Sequence, residues 1–340
     1  MNFLSKYTYL PRLKFPTELE FEPIQLCNAL CFSCPYTSLQ ENPDYRGKKM
    51  SRDNITLLLT DFGNLLKKNN FKGNAHVNPF RYSDPLICKD LDLIFDLARK
   101  FAFKVRITTN GVSFNENNGR ILSEYANSLE GIISISVIGS TAEKIKKNMN
   151  VNLDVTFKRL SNIRLKYPDL ASRIKIGLAE VEETHEENQE FLILEKQFKE
   201  IGLKTYRKKK WMHNRIKGEI YEQKLNNFTS GCMLYRNKIL RRLQVMYDGS
   251  ILLCDDDAVG RKKFGNVFED GIEKVWNDSL LKEHKLIYNK IFSKEKDNLI
   301  CKTCSRATRG RSNAGFVDSI KEIGFKSSLK HFITNDVDFL

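Results

Sequence analysis

Between about residue 18 and residue 206, short runs rich in β-branched and aromatic residues alternate with longer stretches whose apolar positions follow the helical period. The β-type runs fall at 19–26, 73–78, 104–108, 132–137, 174–178 and 203–206. Between them, Ile55, Leu58, Leu59 and Phe62 share one helical face, as do Leu91, Ile94, Phe95 and Ala98, and later Phe191, Leu194, Phe198 and Ile201. Gly202 follows the last of these helices at the position expected of a C-cap, directly ahead of the sixth run. Strands alternating with helices predict βα units on a parallel sheet, and such units gather their functional groups in the loops that follow the strands.

After residue 206 the rhythm breaks. Residues 207–310 hold glycine-centred turns and short strand-like runs at 243–247 and 251–254, joined through Tyr247, Asp248 and Gly249 as a hairpin. The expected organisation is an N-terminal extension (1–17), a βα region (18–206), a small α+β domain (207–310) and a C-terminal tail (311–340).

Composition narrows the class. A chain of 340 residues with 41% hydrophobic content is long enough for a large core and is not wholesale disordered. No apolar run approaches the roughly eighteen residues of a membrane helix, and the first twenty residues lack the apolar segment of a secretory signal, so a cytoplasmic protein without a membrane partner is expected. The net charge of +14 raises the question of nucleic acid, but the lysines are scattered and no basic stripe is interleaved with aromatics, so nucleic acid is not an expected partner. The densest basic run, 207–210, is either a solvated face or a contact for an anionic substrate.

Candidate chemistry lies in the eight cysteines, seven of which fall into two groups. Cys27, Cys31 and Cys34 form C-x3-C-x2-C directly after the first strand. Three such thiolates can hold three corners of a four-iron cubane and leave the last iron open to a small molecule. Zinc sites usually add a second pair or histidines nearby, and no further cysteine occurs until Cys88. A disulfide framework belongs to short secreted chains. Cys88 itself reads as a small buried hydrophobe. The second group is Cys232, Cys254, Cys301 and Cys304, and by spacing these four suit either a zinc ion or a second iron-sulfur cube. The five histidines are dispersed, and no nucleotide-binding or serine-hydrolase signature occurs, so the catalytic inventory is sulfur.

The cysteine loop after the first strand resembles that of the radical S-adenosylmethionine (radical SAM) superfamily. The resemblance implies an α/β fold: a partial (β/α)6 barrel, here followed by the small α+β domain. It also implies a 4Fe-4S cluster on Cys27, Cys31 and Cys34 whose open iron chelates S-adenosylmethionine (SAM) and whose electron cleaves it to methionine and a 5'-deoxyadenosyl radical. The family usually has an aromatic residue before the third cysteine, where this chain has Ser33, with Phe32 one place earlier. Ser83, Asp84 and Pro85 occupy the place of the family's GGEP motif, which implies acceptors for the ammonium of SAM. Thr109, Asn110 and Gly111 are similar to its TNG element, Ser136 stands where members contact the SAM ribose, and Gly177 and Glu180 match part of its adenine motif.

Gly249 with Cys254, and Gly265, Asn266, Trp276 and Asn277, are similar to the SPASM and Twitch extensions of that superfamily. This implies a second, auxiliary 4Fe-4S cluster on Cys232, Cys254, Cys301 and Cys304. No cysteine follows Cys304, so the match is to the shortened Twitch-like form, with one fully ligated cluster that relays an electron. The segment 211–218 is similar to the link between barrel and extension, which would bring Lys208 and Arg215 near the barrel mouth to receive a phosphate or carboxylate. The expected activity is an oxidoreductase-type radical SAM reaction on a small carbohydrate-like or nucleotide-linked substrate, supplied with electrons by flavodoxin or ferredoxin. Peptide or protein modification is the second reading. A basic zinc-binding module that contacts nucleic acid without chemistry is the reading of another class, and it leaves the N-terminal cysteine loop without a purpose.

Overall fold

All of the six expected βα strands form. The computed structural model describes residues 13–181, 184–208, 240–255, 257, 260 and 262–284. The strands are β1 Glu18–Phe21, β2 His76–Asn78, β3 Lys104–Thr109, β4 Leu129–Ile138, β5 Ile174–Ala179 and β6 Lys204–Lys208. They lie side by side in chain order, each parallel to the next. The first is shorter than its apolar run because Pro23 has no N–H to continue the ladder.

Two further strands extend the sheet beyond β1. Strand β7, Arg242–Val245, pairs parallel to β1 with Leu19 opposite Leu243 and Glu20 opposite Gln244, and β8, Ile251–Leu252, runs antiparallel to β7. The run at 243–247, grouped by sequence with the small domain, therefore shares a ladder with the first strand of the βα region. The turn between β7 and β8 is the expected hairpin: Gly249 has φ +83° and donates to the Met246 carbonyl at 3.0 Å.

Helices α1 Tyr36–Leu39, α2 Arg52–Lys68, α3 Leu91–Phe101, α4 Glu116–Glu124, α5 Ala142–Met149, α6 Leu153–Lys166, α7 Pro168–Ser172, α8 His185–Glu200 and α9 Val267–Lys274 complete the described elements. The faces marked by the sequence are the buried ones: Leu58, Leu59 and Phe62 of α2, Ile94, Phe95 and Ala98 of α3, and Phe191, Leu194 and Phe198 of α8 join Leu19, Val77, Val105, Ile133 and Ile176 in one core. Each Leu, Ile, Val or Phe among them contributes about 1.5–3 kcal/mol by leaving water. Ser51 caps α2 by accepting from the Asn54 amide at 3.1 Å. After α8, Gly202 (φ +74°) donates to the Lys199 carbonyl and Leu203 to that of Phe198, a Schellman ending that launches β6.

Helix α9 lies on α2, where the Ile272 amide donates to Asp61 at 2.8 Å and Lys68 pairs with Glu273. Asn266 caps α9 and also donates to the Asp248 carbonyl, and buried Trp276 donates to the Leu13 carbonyl at 2.9 Å. No helix among the described residues is long and apolar enough to cross a membrane.

Candidate active site at the strand C-terminal ends

The three N-terminal cysteines sit in the loop after β1, at the carboxyl end of the parallel strands. The loop is pinned to the end of α5, with the Leu30 and Phe32 amides donating to the Met149 and Asn148 carbonyls at 2.8 and 2.9 Å. The Cys34 amide donates to the Cys31 carbonyl at 3.0 Å, and the Thr37 hydroxyl donates to the same carbonyl at 2.7 Å. The thiols are half-buried. Burial, followed by the charge of Asp84, pushes the Cys27 thiol up to about 12, and burial with the neighbouring Cys34 and Cys27 pushes that of Cys31 up. A cation bound to these sulfurs would favour their thiolate forms by supplying positive charge beside them.

The donor set fits an iron-sulfur cluster. In a cubane each thiolate takes its own iron, so three cysteines in one loop would hold three corners. The Ala29 amide and the Asn110 side-chain amide both donate to Cys27 Sγ, at 3.4 and 3.6 Å. Ser33 Oγ in the loop and Ser83 Oγ after β2 are buried without a hydrogen-bond partner among the described residues, leaving polar atoms for a bound molecule.

Asp84 organises the loops around the cysteines. Its carboxylate accepts from the Thr109 hydroxyl at 2.9 and 2.7 Å, from the Asn110 amide at 3.0 Å and from the Leu86 amide at 3.0 Å. Its own amide donates to the Leu26 carbonyl at 3.1 Å, beside Cys27. Burial pushes this carboxyl up against the pull of those bonds. The SDP turn expected to offer a carboxylate to SAM thus uses that carboxylate to join the loops after β2 and β3, while its backbone amide ties in the loop after β1. Pro85 is buried and opens a short 3-10 turn, Pro85–Ile87, and the expected Cys88 is buried after it. Asn110 adds a bond to Asn28 at 2.7 Å, so the TNG turn holds the cysteine loop from the far side.

Ser136 and Gly177 are neighbours across β4 and β5 and Gly177 faces Tyr206 of β6, all on the sheet face opposite the helices. A Cβ on Gly177 would stand 2.8 Å from both the Tyr206 hydroxyl and Lys208 Cε, so a side chain there would have to push those two side chains aside. Lys208 ends β6 with its ammonium 5.5 Å from the Tyr206 ring centroid. Cys254 is buried just after β8. Cys232, Cys301, Cys304 and Arg215 lie outside the described residues.

Sequence reasoning missed a charged layer on the same sheet face. Arg242 of β7 pairs with Glu18 at 2.5 Å and with Glu20 at 2.6 Å. Arg106 pairs with Glu18 at 3.2 Å and with Glu130 at 2.9 Å, and Asn78 donates to Glu18 at 2.7 Å. Nearer the cysteines, buried Glu22 accepts from Gln25 and Tyr45, both at 2.8 Å. Burial opposes ionisation of Glu18, but Arg242 and Arg106 hold it below the usual carboxylate range, whereas burial wins at Glu20 and Glu22 and pushes both up. The signal was available in the alternation of Glu18, Leu19, Glu20, Phe21 and Glu22, which aims every second residue away from the helices.

Residues 232–305 match the SPASM family, an iron-sulfur cluster-binding domain. The fold is shared with BtrN in complex with AdoMet and 2-DOIA (18% identity, TM-score 0.52, covering 89% of this chain and 98% of that one). It is also shared with Streptococcus suis SuiB bound to precursor peptide SuiA (17%, 0.55, 93% and 75%) and with anSMEcpe with bound AdoMet (17%, 0.55, 93% and 91%). No curated protein matches the sequence.

Proposed function

We propose that this chain, which has the fold of radical SAM enzymes and a SPASM segment toward its C-terminal side, is a radical SAM enzyme acting on a small, carbohydrate-like molecule. The observation that carries the reading is the loop of Cys27, Cys31 and Cys34, held at the strand carboxyl ends through Asn110 and Asp84. Those three cysteines would hold a 4Fe-4S cluster, and Cys232, Cys254, Cys301 and Cys304 an auxiliary one. The N-terminal cluster, when bound, supplies the electron that cleaves SAM to methionine and a 5'-deoxyadenosyl radical.

The protein's own groups orient and shield. Asn110 and the Ala29 amide place hydrogen bonds on Cys27 Sγ, which lowers charge on the sulfur and favours the reduced cluster. Ser83, Ser136 and Gly177 line the approach for SAM, the bare Gly177 leaving the space that the Tyr206 hydroxyl and the Lys208 side chain take up. Lys208 and Arg215 receive an anionic group of the substrate, and a flavodoxin or ferredoxin supplies the reducing electron.

A hydroxylated small substrate is supported by the polar sheet face around Glu20, Asn78 and Gln244, and by the near-complete coverage of BtrN, solved with 2-DOIA. Peptide modification is the second reading, supported by the likeness to SuiB solved with a precursor peptide. Anaerobic reconstitution tests the class: about eight irons per chain and SAM-dependent release of 5'-deoxyadenosine are expected. Replacing Cys27, Cys31 and Cys34 together by Ala should remove about half of the iron and all 5'-deoxyadenosine. A colourless protein that takes up zinc instead would refute the reading.

A further inference from the structure

The two cysteine regions are far apart in sequence yet meet through two adjacent side chains. Tyr82 lies in the loop after β2, two residues before Asp84, and is buried. With Tyr36 and Tyr45 it forms an aromatic cluster against which Cys27 and Cys34 pack. Its hydroxyl donates to the carbonyl of Asp255, the residue directly after Cys254. Arg81 stacks its guanidinium 4.8 Å from the Tyr82 ring centroid and donates through Nη2 to the carbonyl of Asp257. The loop after Cys254 is also held from within, where the Asp257 amide donates to the Cys254 carbonyl at 3.1 Å and the Lys262 amide to Asp257 Oδ2 at 3.2 Å.

We propose that Tyr82 and Arg81 are positioning residues that clamp the loop following Cys254 onto the N-terminal cysteine loop, so that the seating of one cysteine site sets the geometry of the other. Three residues within one four-residue stretch do the joining. Arg81 and Tyr82 hold the SPASM-side loop by its carbonyls, while Asp84 holds the TNG turn and, through it, Cys27. A tyrosine suits the task because its ring belongs to the cluster beside the cysteines and its hydroxyl reaches a backbone acceptor at the other end. Arginine suits its place because a planar guanidinium stacks on the ring while it donates, which a lysine ammonium does not reproduce.

The inference rests on the reading of Cys254 as an iron-sulfur ligand only in its second readout. First, amide hydrogen exchange of the full-length cluster-free chain is compared for wild type, Tyr82→Phe and Arg81→Lys. The Phe variant keeps the ring and removes one hydrogen bond, so exchange at residues 254–257 should quicken about threefold to tenfold, with the core of α2 and α3 unchanged. Arg81→Lys should quicken the same segment. Second, in a background with Cys27, Cys31 and Cys34 replaced by Ala, the dithionite-reduced auxiliary cluster should show an altered EPR spectrum in Tyr82→Phe at unchanged iron content. Unchanged exchange at 254–257, or an unchanged spectrum, overturns the clamp. Failure of that background to hold any iron would count against the functional reading, while the exchange experiment still decides the clamp.

Discussion

Replacing Asp84 by Asn leaves its volume unchanged and converts an acceptor with two oxygens into one with a single oxygen and an amide donor. In the wild type, Oδ1 accepts from the Leu86 amide at 3.0 Å and Oδ2 from the Asn110 amide at 3.0 Å, and the Thr109 hydroxyl approaches both. Whichever way the Asn side chain is turned, its NH2 faces one of those backbone N–H groups. One charge-assisted bond is lost at about 2 kcal/mol, and a buried donor left without an acceptor costs a further 1–3 kcal/mol or so. The neutral amide regains about 1 kcal/mol, because burial disfavours the charged carboxylate at this position.

The net expectation is a loss of about 2–4 kcal/mol. Urea unfolding of the cluster-free chain at pH 7, followed by circular dichroism, measures it, and amide exchange at Leu86 and Asn110 locates it. Because Asn110 also touches Cys27 Sγ, reconstituted Asp84→Asn should hold less iron on the N-terminal site than wild type. A stability change below about 0.5 kcal/mol, with protection at Leu86 and Asn110 intact, would refute the assignment of the Asp84 carboxylate as the tie between the loops after β2 and β3.

Arg242→Met should cost about 3–5 kcal/mol in denaturant unfolding, since it takes the paired cation from Glu20 and leaves Glu18 to Arg106 in a buried layer, and adding Glu18→Gln and Glu20→Gln should restore most of it. Burial works against ionisation of Glu130, but the hydrogen bonds from His76 and Arg106 hold its carboxyl down at about 2. Its folded pKa lies below the unfolded one, so its stabilisation is present above about pH 4.5 and fades as pH falls toward 2. Glu130→Gln should therefore be less stable than wild type by about 1–2 kcal/mol at pH 7, after allowance for solvent screening, and equal to it near pH 2, as read from urea midpoints across that range. Gly177→Ala should lower SAM affinity, measured by calorimetry on reconstituted protein, because its methyl displaces Tyr206 or Lys208 from the strand surface.

Much of the fold was legible because six strand runs and the three helix faces at 55–62, 91–98 and 191–201 follow their two periods, whereas the helices between 116 and 172 were not read from the sequence. Gly202 could be read as a helix end because only glycine meets a positive φ without strain there. The cysteine loop stood out by the close spacing of Cys27, Cys31 and Cys34 directly after the first strand. Roles within the SDP turn were less so: a spacing cannot tell whether a carboxylate faces a ligand or its own chain, and Asp84 faces its own chain. The pairing of Arg242 with Glu18 and Glu20 was hidden by a separation of more than two hundred residues, since register across a parallel sheet leaves no local mark.

That same pairing bears on how the two parts of the chain depend on each other. Strand β7 adds main-chain bonds to β1 over Glu18–Phe21, and the Glu22 amide still donates to the Val245 carbonyl at 3.1 Å before the chain turns toward Cys27. The segment that leads into the N-terminal cysteines is therefore a central strand only when residues 242–245 are in place; without them β1 becomes an edge, with Arg242 withdrawn from two buried carboxylates. A chain cut after β6 would lose both the ladder and the cation, and it should fail to present the cysteine loop even though all three cysteines remain. The extension thus acts on the first site by completing the sheet beneath it, independently of any cluster it carries.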